Sequence, residues 1–354
     1  IFFNGKIIDH VGCFCQFTYD GVAQTTTIDN FEIRVANDYK GDHLDALYGL
    51  SLNNNPTMSD IWNTTPVWGW PYFGANNAIG PIATPIINGS LAQSAAGLTA
   101  YALVNKMVYL EAGIYRNTQG PLSFLHLNVP GDSRYTIDGA APYYRVALQH
   151  DWNHGHQSMM AGSFGLSPKV YQPGVMPNGP SDHYRDQGFD AQYQYITDRH
   201  RFSWMFTYIK EDQTLYNTYA SGGSTNLHNS LNFLNTKLSY YFDKWYGIHL
   251  GYQKTSGSTD MGLYSPNGDG TSPPMVVNPG VLGNSATGNP DTEAIITELD
   301  WVFSISGAEK FRRTRALLQY TAYTKFGGGS SNYNGYGRSA SDNNQLVLGL
   351  WLLY

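Results

Sequence analysis

The last ten residues, 345–354 (QLVLGLWLLY), set Leu346, Leu348, Leu350, Leu352 and Tyr354 on the even positions and Val347, Gly349, Trp351 and Leu353 on the odd ones. A period of two is that of a β-strand, whose side chains alternate between faces. One face here is wholly apolar and ends on an aromatic ring. A soluble sheet has to cover such a face with a second layer, whereas hydrocarbon leaves nothing to cover. Tilted strands of about 9–11 residues are long enough to cross a bilayer core. An open sheet edge is not tolerated in lipid. The stretch therefore predicts one strand of a transmembrane β-barrel, and the rest of the chain has to supply the others.

The same alternation recurs throughout. In FEIRVAND, Phe31, Ile33 and Val35 oppose Glu32, Arg34 and Ala36. In HLDALYGLSLN, Leu44, Ala46, Tyr48, Leu50 and Leu52 are expected to meet lipid and Asp45, Leu47, Gly49 and Ser51 the lumen. In YYRVALQHDW the outward set is Tyr144, Val146, Leu148 and Trp152, against Arg145, Gln149 and Asp151. Asp190 opposes Phe189 and Ala191, and Lys237 opposes Leu238. Near the end, Glu298 and Asp300 lie inward on one strand, and Arg313, Arg315 and Lys325 inward on the next, with Leu318, Tyr320, Ala322 and Phe326 outward. Acids on one strand and arginines near the same end of its neighbour predict a cross-strand charge cluster. Only 14% of the residues are charged, the mean hydropathy is −0.35, and no apolar run reaches the length of a membrane helix. Alternation explains how a membrane chain can have so soluble an average.

The connections give a separate test. Counted back from a periplasmic C-terminus they alternate long or medium with short: 327–344, then SISGAEK, 255–290, Asp243-Lys244, 214–229, TDRH, 171–183, NHGH, 117–141, Asn105-Lys106, 53–95, KGD, 21–30 and Asp9-His10. Long extracellular loops and short periplasmic turns are the barrel pattern. These connections join fifteen strands. Single-chain bacterial barrels have an even number, so sixteen strands are expected when the barrel is complete, the first lying before Ile1. The chain, a single barrel domain over 1–354, also shows no signal peptide and is expected to be a mature or truncated form.

Segment 53–95 is the longest connection and contains Trp62, Trp68, Trp70, Tyr72 and Phe73, too aromatic for a disordered loop. It is expected to fold into the mouth or lumen as a constriction or plug. The lumen-lining charged residues are expected to be Glu32, Arg34, Asp45, Arg145, Asp190, Lys237, Glu298, Asp300, Arg313, Arg315 and Lys325. Their signs are mixed, which gives no strong ion selectivity. Tyr19, Trp152, Trp204, Tyr240, Tyr252 and Trp301 read as interfacial girdles.

No nucleophile triad, HExxH or phosphate loop is present, and no catalytic residue is assigned, so the chain is not expected to be an enzyme. Nor is a metal site: His150, His154 and His156 lack a compact ligand pattern with acidic support, His249 reads as a polar lumen residue, and SPNGDGTS (265–272) lacks calcium-loop spacing. Cys13 and Cys15, two apart on one strand face, read as small residues facing lipid. No CxxCH occurs, so no haem is bound covalently. A net charge of −6 with no basic patch gives no reason to expect a nucleic-acid partner, and the expected partner is the bilayer itself.

Several runs resemble a known family. DHVGCFCQFTYDG, DNFEIRVAND, YGLSLNNNPTMSDIWNTTPVWGWP and YTKFGGGSSNYNGYGRSASDNNQLVLGLWLLY are similar to the barrel portion of the outer-membrane cytochrome-porin fusion proteins of iron-oxidising and related bacteria. The resemblance implies a sixteen-stranded outer-membrane porin that guides electrons from extracellular donors toward periplasmic carriers through a c-type haem. The family's CxxCH precedes the barrel strands and has no counterpart here, so the haem is expected from an upstream segment or a partner c-type cytochrome. The alternative reading of the same features is a passive diffusion porin for small hydrophilic solutes.

Overall fold

The computed structural model describes residues 1–21, 24–72, 74, 79–265, 284–304 and 313–353, with the side chains of Arg313 and Leu353 also outside the described set. Its strands are β1 (Phe2–Ile8), β2 (Val11–Asp20), β3 (Thr25–Lys40), β4 (Asp45–Asn53), β5 (Ala95–Val104), β6 (Val108–Asn117), β7 (Thr136–Ile137), β8 (Ala141–Trp152) and β9 (Gln157–Leu166). They continue with β10 (Lys169–Tyr171), β11 (Asp182–Ile196), β12 (His200–Thr214), β13 (His228–Phe242), β14 (Tyr246–Gly257), β15 (Thr292–Phe303), β16 (Arg313–Lys325) and β17 (Gln345–Leu353). No helix among the described residues is long and apolar enough to cross a membrane.

Every wall strand pairs antiparallel with the next: β1 through β6 in order, then β6 with β8, β8 with β9, β9 with β11, and β11 onward to β17. The two short strands β7 and β10 pair with each other on the extracellular side. All fifteen strands expected from the alternation are present. The two ends of this sheet meet, because Phe2 of β1 stacks on Trp351 of β17 with ring centroids 5.4 Å apart and planes 12° from parallel. A fifteen-strand meander whose first and last strands touch is curled into a barrel. Among the described residues no hydrogen-bonded ladder joins β1 to β17.

Orientation follows the parity of the sequence. On the outer surface Leu348 is 79% exposed, and Leu50, Leu98, Ile114, Leu148, Leu250 and Leu299 are exposed on their own strands. An aliphatic surface continuous round the molecule is far larger than the apolar patches of soluble proteins. Trp245, Tyr246 and Trp301 stand exposed at the periplasmic end, where amphipathic rings suit the headgroup region. The inward set is buried: Tyr109, Tyr115, Arg145, Phe164, Asp190 and Glu298 are each at most 3% exposed.

Four expectations need correction. Strand β3 starts at Thr25, so the 21–30 connection shortens to 21–24, since Thr25 to Ile28 pair with Phe17 to Asp20 beyond a bulge. Strand β11 begins at Asp182, within the 171–183 connection. Phe326, expected on the lipid face, is fully buried and packs against Tyr323 and Tyr333, its ring centroids 5.3 and 4.9 Å away. Lys325, expected inward, instead reaches Asp291 at 3.8 Å and Glu293 at 3.7 Å at the extracellular rim. The last two share one cause: a bulge between Glu293 and Ala294 inserts an extra residue in the β15–β16 ladder and breaks the two-residue period beyond it.

If this exterior meets hydrocarbon, Leu348→Lys should destabilise the folded barrel by about 2–4 kcal/mol, the cost of a lysine at the bilayer midplane. Urea titration in lipid vesicles measures it. A loss within about 0.5 kcal/mol, as at an ordinary wet surface, would remove β17 from the lipid-facing wall.

Candidate functional site

Segment 53–95 enters the lumen on a turn built by Asp60. Its carboxylate accepts from the backbone N–H groups of Trp62 (3.0 Å), Thr64 (2.9 Å) and Thr65 (3.0 Å), and from the Thr65 hydroxyl (2.9 Å). An aspartate that caps several following amides in this way fixes a turn without regular structure. The other side of that carboxylate meets the wall: Arg145 Nη2 of β8 donates to Asp60 Oδ1 at 3.1 Å and to Asp190 Oδ2 of β11 at 2.7 Å. All three side chains are fully buried. The guanidinium also faces the Trp62 ring at 5.3 Å and the Phe164 ring at 5.7 Å. Trp62 Nε1 donates to Gln149 at 2.7 Å, Gln192 donates to the Trp62 carbonyl at 2.6 Å, and the Thr64 hydroxyl donates to Asp190.

The same segment grips other walls. Arg34 of β3 donates to the Ser59 carbonyl at 3.0 Å while pairing with Glu32 at 2.9 Å, and Glu32 also accepts from Ser51 and Ser59. Trp68 meets Phe14 of β2 edge to face at 5.2 Å. Two residues on, the Trp70 carbonyl accepts from Asn235 of β13 at 2.7 Å and from Gln253 of β14 at 3.2 Å. Strands β2 and β13 are second and eleventh of the fifteen, on far sides of the barrel, so residues 68–70 cross the lumen. The Trp70 indole closes on β14 because residue 251 is glycine: a Cβ there would lie 2.2 Å from the ring. Lys237 Nζ sits over Trp70 at 5.1 Å and Tyr72 at 5.2 Å. The space left among Asn63, Thr64, Trp70, Thr207, Asn235 and Lys237 is about 10 Å³, room for a single water.

Residues 79–95 line the extracellular half. The Ile79 carbonyl accepts from Tyr323 and Gln345, and the amides of Ile86 and Ile87 donate to Glu211 and Asp186, which face each other across β11 and β12. Below the plug lie two vestibules toward the periplasm. One of about 340 Å³ is lined by Asn63, Gln149, Asp151, Ser158, Gln192 and Gln194. The other, of about 360 Å³, is lined by Arg201, Tyr241, Lys244, Trp245, Thr314 and Arg315. Above the second vestibule Arg315 Nη2 bridges Glu298 (2.6 Å) and Asp300 (2.8 Å), and His249 Nε2 lies 2.9 Å from Asp300.

The structure thus gathers the inward residues into three groups: Glu32 with Arg34, Arg145 with Asp190, and Glu298, Asp300 and Arg315 beside Lys237. Asp45 is apart from them at the periplasmic end of β4, half-buried, its backbone N–H taken by Asn105. The Arg313 side chain, Phe73 and most of 265–272 lie outside the described residues. Sequence reasoning missed Asp60, Asp186 and Glu211. The last two share the inward parity of residues it did place, whereas Asp60 lies in a loop with no period to read.

The extracellular loops are tied by Asp260. Its carboxylate accepts from the Ser224 hydroxyl (2.5 Å), the amides of Thr225 (2.9 Å), Asn226 (3.1 Å), Gly262 (2.9 Å) and Leu263 (3.1 Å), and Asn229 Nδ2 (2.8 Å). Burial opposes the charge, but these donors outweigh it and hold the carboxyl well below its usual range.

Two tests follow. Asp60→Ala leaves Arg145 buried with one partner fewer and should cost about 3–5 kcal/mol, with ion conductance across planar bilayers rising as the plug loosens. Unchanged conductance with a small stability loss would remove Asp60 as the latch. For Asp260 the folded pKa lies below the unfolded value of about 3.9, so its stabilisation is complete above that value and lost as pH falls through the folded one. Asp260→Asn should therefore lower stability by about 1–3 kcal/mol at neutral pH, and the gap from wild type should narrow only below about pH 4. A gap constant down to the lowest accessible pH would contradict this.

No protein-family model and no curated protein matches the chain. Among solved structures it is similar to OmpT, an outer membrane protein of Vibrio cholerae folded in vitro, at 11% identity and a TM-score of 0.42, covering 96% of this chain and 94% of that one. A loop L8 deletion mutant of the same protein gives 11% identity and a TM-score of 0.43 over 98% of this chain and 87% of that one. Likeness this distant carries no inference about activity. The exterior aliphatic belt, the short periplasmic turns and the antiparallel wall themselves make the chain a bilayer-spanning barrel of the bacterial outer-membrane type.

Proposed function

We propose that the chain is the barrel of an outer-membrane electron-transfer conduit, closed to solutes and associated with a c-type haem carried outside residues 1–354. The carrying observation is closure: residues 68–70 of the plug bond to opposite walls, and the gap left beside Trp70 among Asn63, Thr64, Thr207, Asn235 and Lys237 is about 10 Å³. Such a seal suits a barrel that must not leak ions across the membrane it occupies. The resemblance of the NNPT…WNTTP and GRSASDNN runs to cytochrome-associated porins supplies the reason to name electrons. The residues present do not fit a haem of the chain's own. His249 lines neither vestibule, and the vestibules themselves, of about 340 and 360 Å³, are at the small end of cofactor pockets. The group therefore belongs to a preceding segment or to a partner cytochrome.

A second reading is a passive porin for small hydrophilic solutes, favoured by the amide-lined vestibule of about 340 Å³ and by a plug held through polar bonds rather than an apolar seal. One pair of measurements separates the two. Protein purified from native membranes should retain a haem absorbance, and the refolded chain should show no steady single-channel conductance. Steady conductance without a haem or cytochrome would overturn the conduit and leave the porin.

A further inference from the structure

We propose that His249, Glu298 and Asp300 form a binding site for one divalent transition-metal ion on the lumen wall, with Arg315 as its resident competitor. The site does not depend on whether the barrel carries electrons or solutes. His249 of β14 and Glu298 of β15 are direct register partners, and Asp300 follows Glu298 on the same inward face. The three bring one ligand atom each to within 4.8 Å of one another, and all three side chains are at most 2% exposed. His249 Nε2 lies 2.9 Å from Asp300 Oδ2 and 3.9 Å from Glu298 Oε1. Tetrahedral ligands around an ion with bonds of about 2.0–2.2 Å are spaced at about 3.3 Å, so small side-chain adjustments close the triangle.

Three further features point to a cation here. Arg315 Nη2 already holds a positive charge between the two carboxylates, at 2.6 Å from Glu298 and 2.8 Å from Asp300, so the position is one where a cation is stable. Glu298 Oε2 and Asp300 Oδ1 are buried without a hydrogen-bond partner among the described residues, which leaves acceptor capacity for an ion. The ring of His249 is oriented from behind by Ser239, whose hydroxyl is 2.8 Å from Nδ1. A hydroxyl both donates and accepts, so it supports either tautomer, including the one that frees the Nε2 lone pair for a metal. Tyr241, whose hydroxyl donates to Asp300, stands ready as a fourth ligand. Imidazole with carboxylates selects zinc, cobalt or ferrous ions over magnesium or calcium.

Arg315 has somewhere to go. Its side chain is 21% exposed and lines the vestibule of about 360 Å³, so an incoming ion displaces it toward the periplasmic opening. The competition sets the affinity. It also makes the sharpest test, because removing the arginine should strengthen the site rather than weaken it.

The experiment uses the full chain folded in detergent, with Cys13 and Cys15 changed to serine to remove thiol ligands, titrated with Zn2+ by calorimetry and with Co2+ by visible absorption. One equivalent should bind, His249→Ala should weaken binding at least tenfold, and Arg315→Met should tighten it at least tenfold and make thermal stability depend on Zn2+ concentration. Absence of stoichiometric binding in both the parent and Arg315→Met proteins overturns the proposal. So does binding that His249→Ala leaves unchanged. Should His249→Ala fail to fold, the Arg315→Met comparison decides alone, with unchanged or weakened affinity counting against the site.

Discussion

In hydrocarbon there is no water to satisfy a backbone amide, and this requirement governs the wall. Each strand has to bond to a neighbour along its length, so one polypeptide direction alternates with the other round the barrel, and every connection has to return to the side it left. Fifteen antiparallel strands place β1 and β17 in the same direction. Their edges meet through the stacked rings of Phe2 and Trp351, on the lumen side of the seam.

The wall in turn dictates what the interior is made of. Alternation delivers a polar side chain inward for nearly every aliphatic one outward, so the lumen receives Glu32, Arg34, Glu111, Arg145, Asp190, Lys237 and Glu298. Charges in a narrow, largely dry space need partners. A segment rich in backbone amides, hydroxyls and indoles meets that need better than an aliphatic one. Asp60 illustrates the exchange: it completes Arg145 and simultaneously fixes the turn that carries Trp62 and Thr64 to the wall. Glycine then sets how closely the plug approaches, as at Gly251 beneath Trp70, where strand backbone and indole touch without an intervening Cβ.

This explains which parts were legible in the sequence. Period-two alternation is a direct consequence of wall geometry, so the strands, their faces and the sides of their turns could be read residue by residue, and the faces were misread where a bulge broke the period, at Lys325 and Phe326. Strand ends above the bilayer, as in β3 and β11, were cut short because side chains there no longer meet lipid and the alternation fades. The plug was legible as an aromatic loop, and its aromatic residues mark it because they pack across the lumen. Its path was not, because contacts such as Asp60 with Arg145, 85 residues apart, follow no local rule.

The two arginine centres show how similar chemistry can serve opposite ends. At Arg145 both carboxylates are fully buried, one lies on the plug, and aromatic faces cover the guanidinium, so the cation has no path out and the arrangement acts as a latch. At Arg315 both carboxylates lie on one strand, a histidine replaces the aromatic cover, and a vestibule opens beside the cation. A buried ion pair adds little net stability compared with apolar packing. Its retention at two places in one lumen is therefore better explained by what each pair can hold or release. In the first, that is the segment closing the pore. In the second, it is the cation itself.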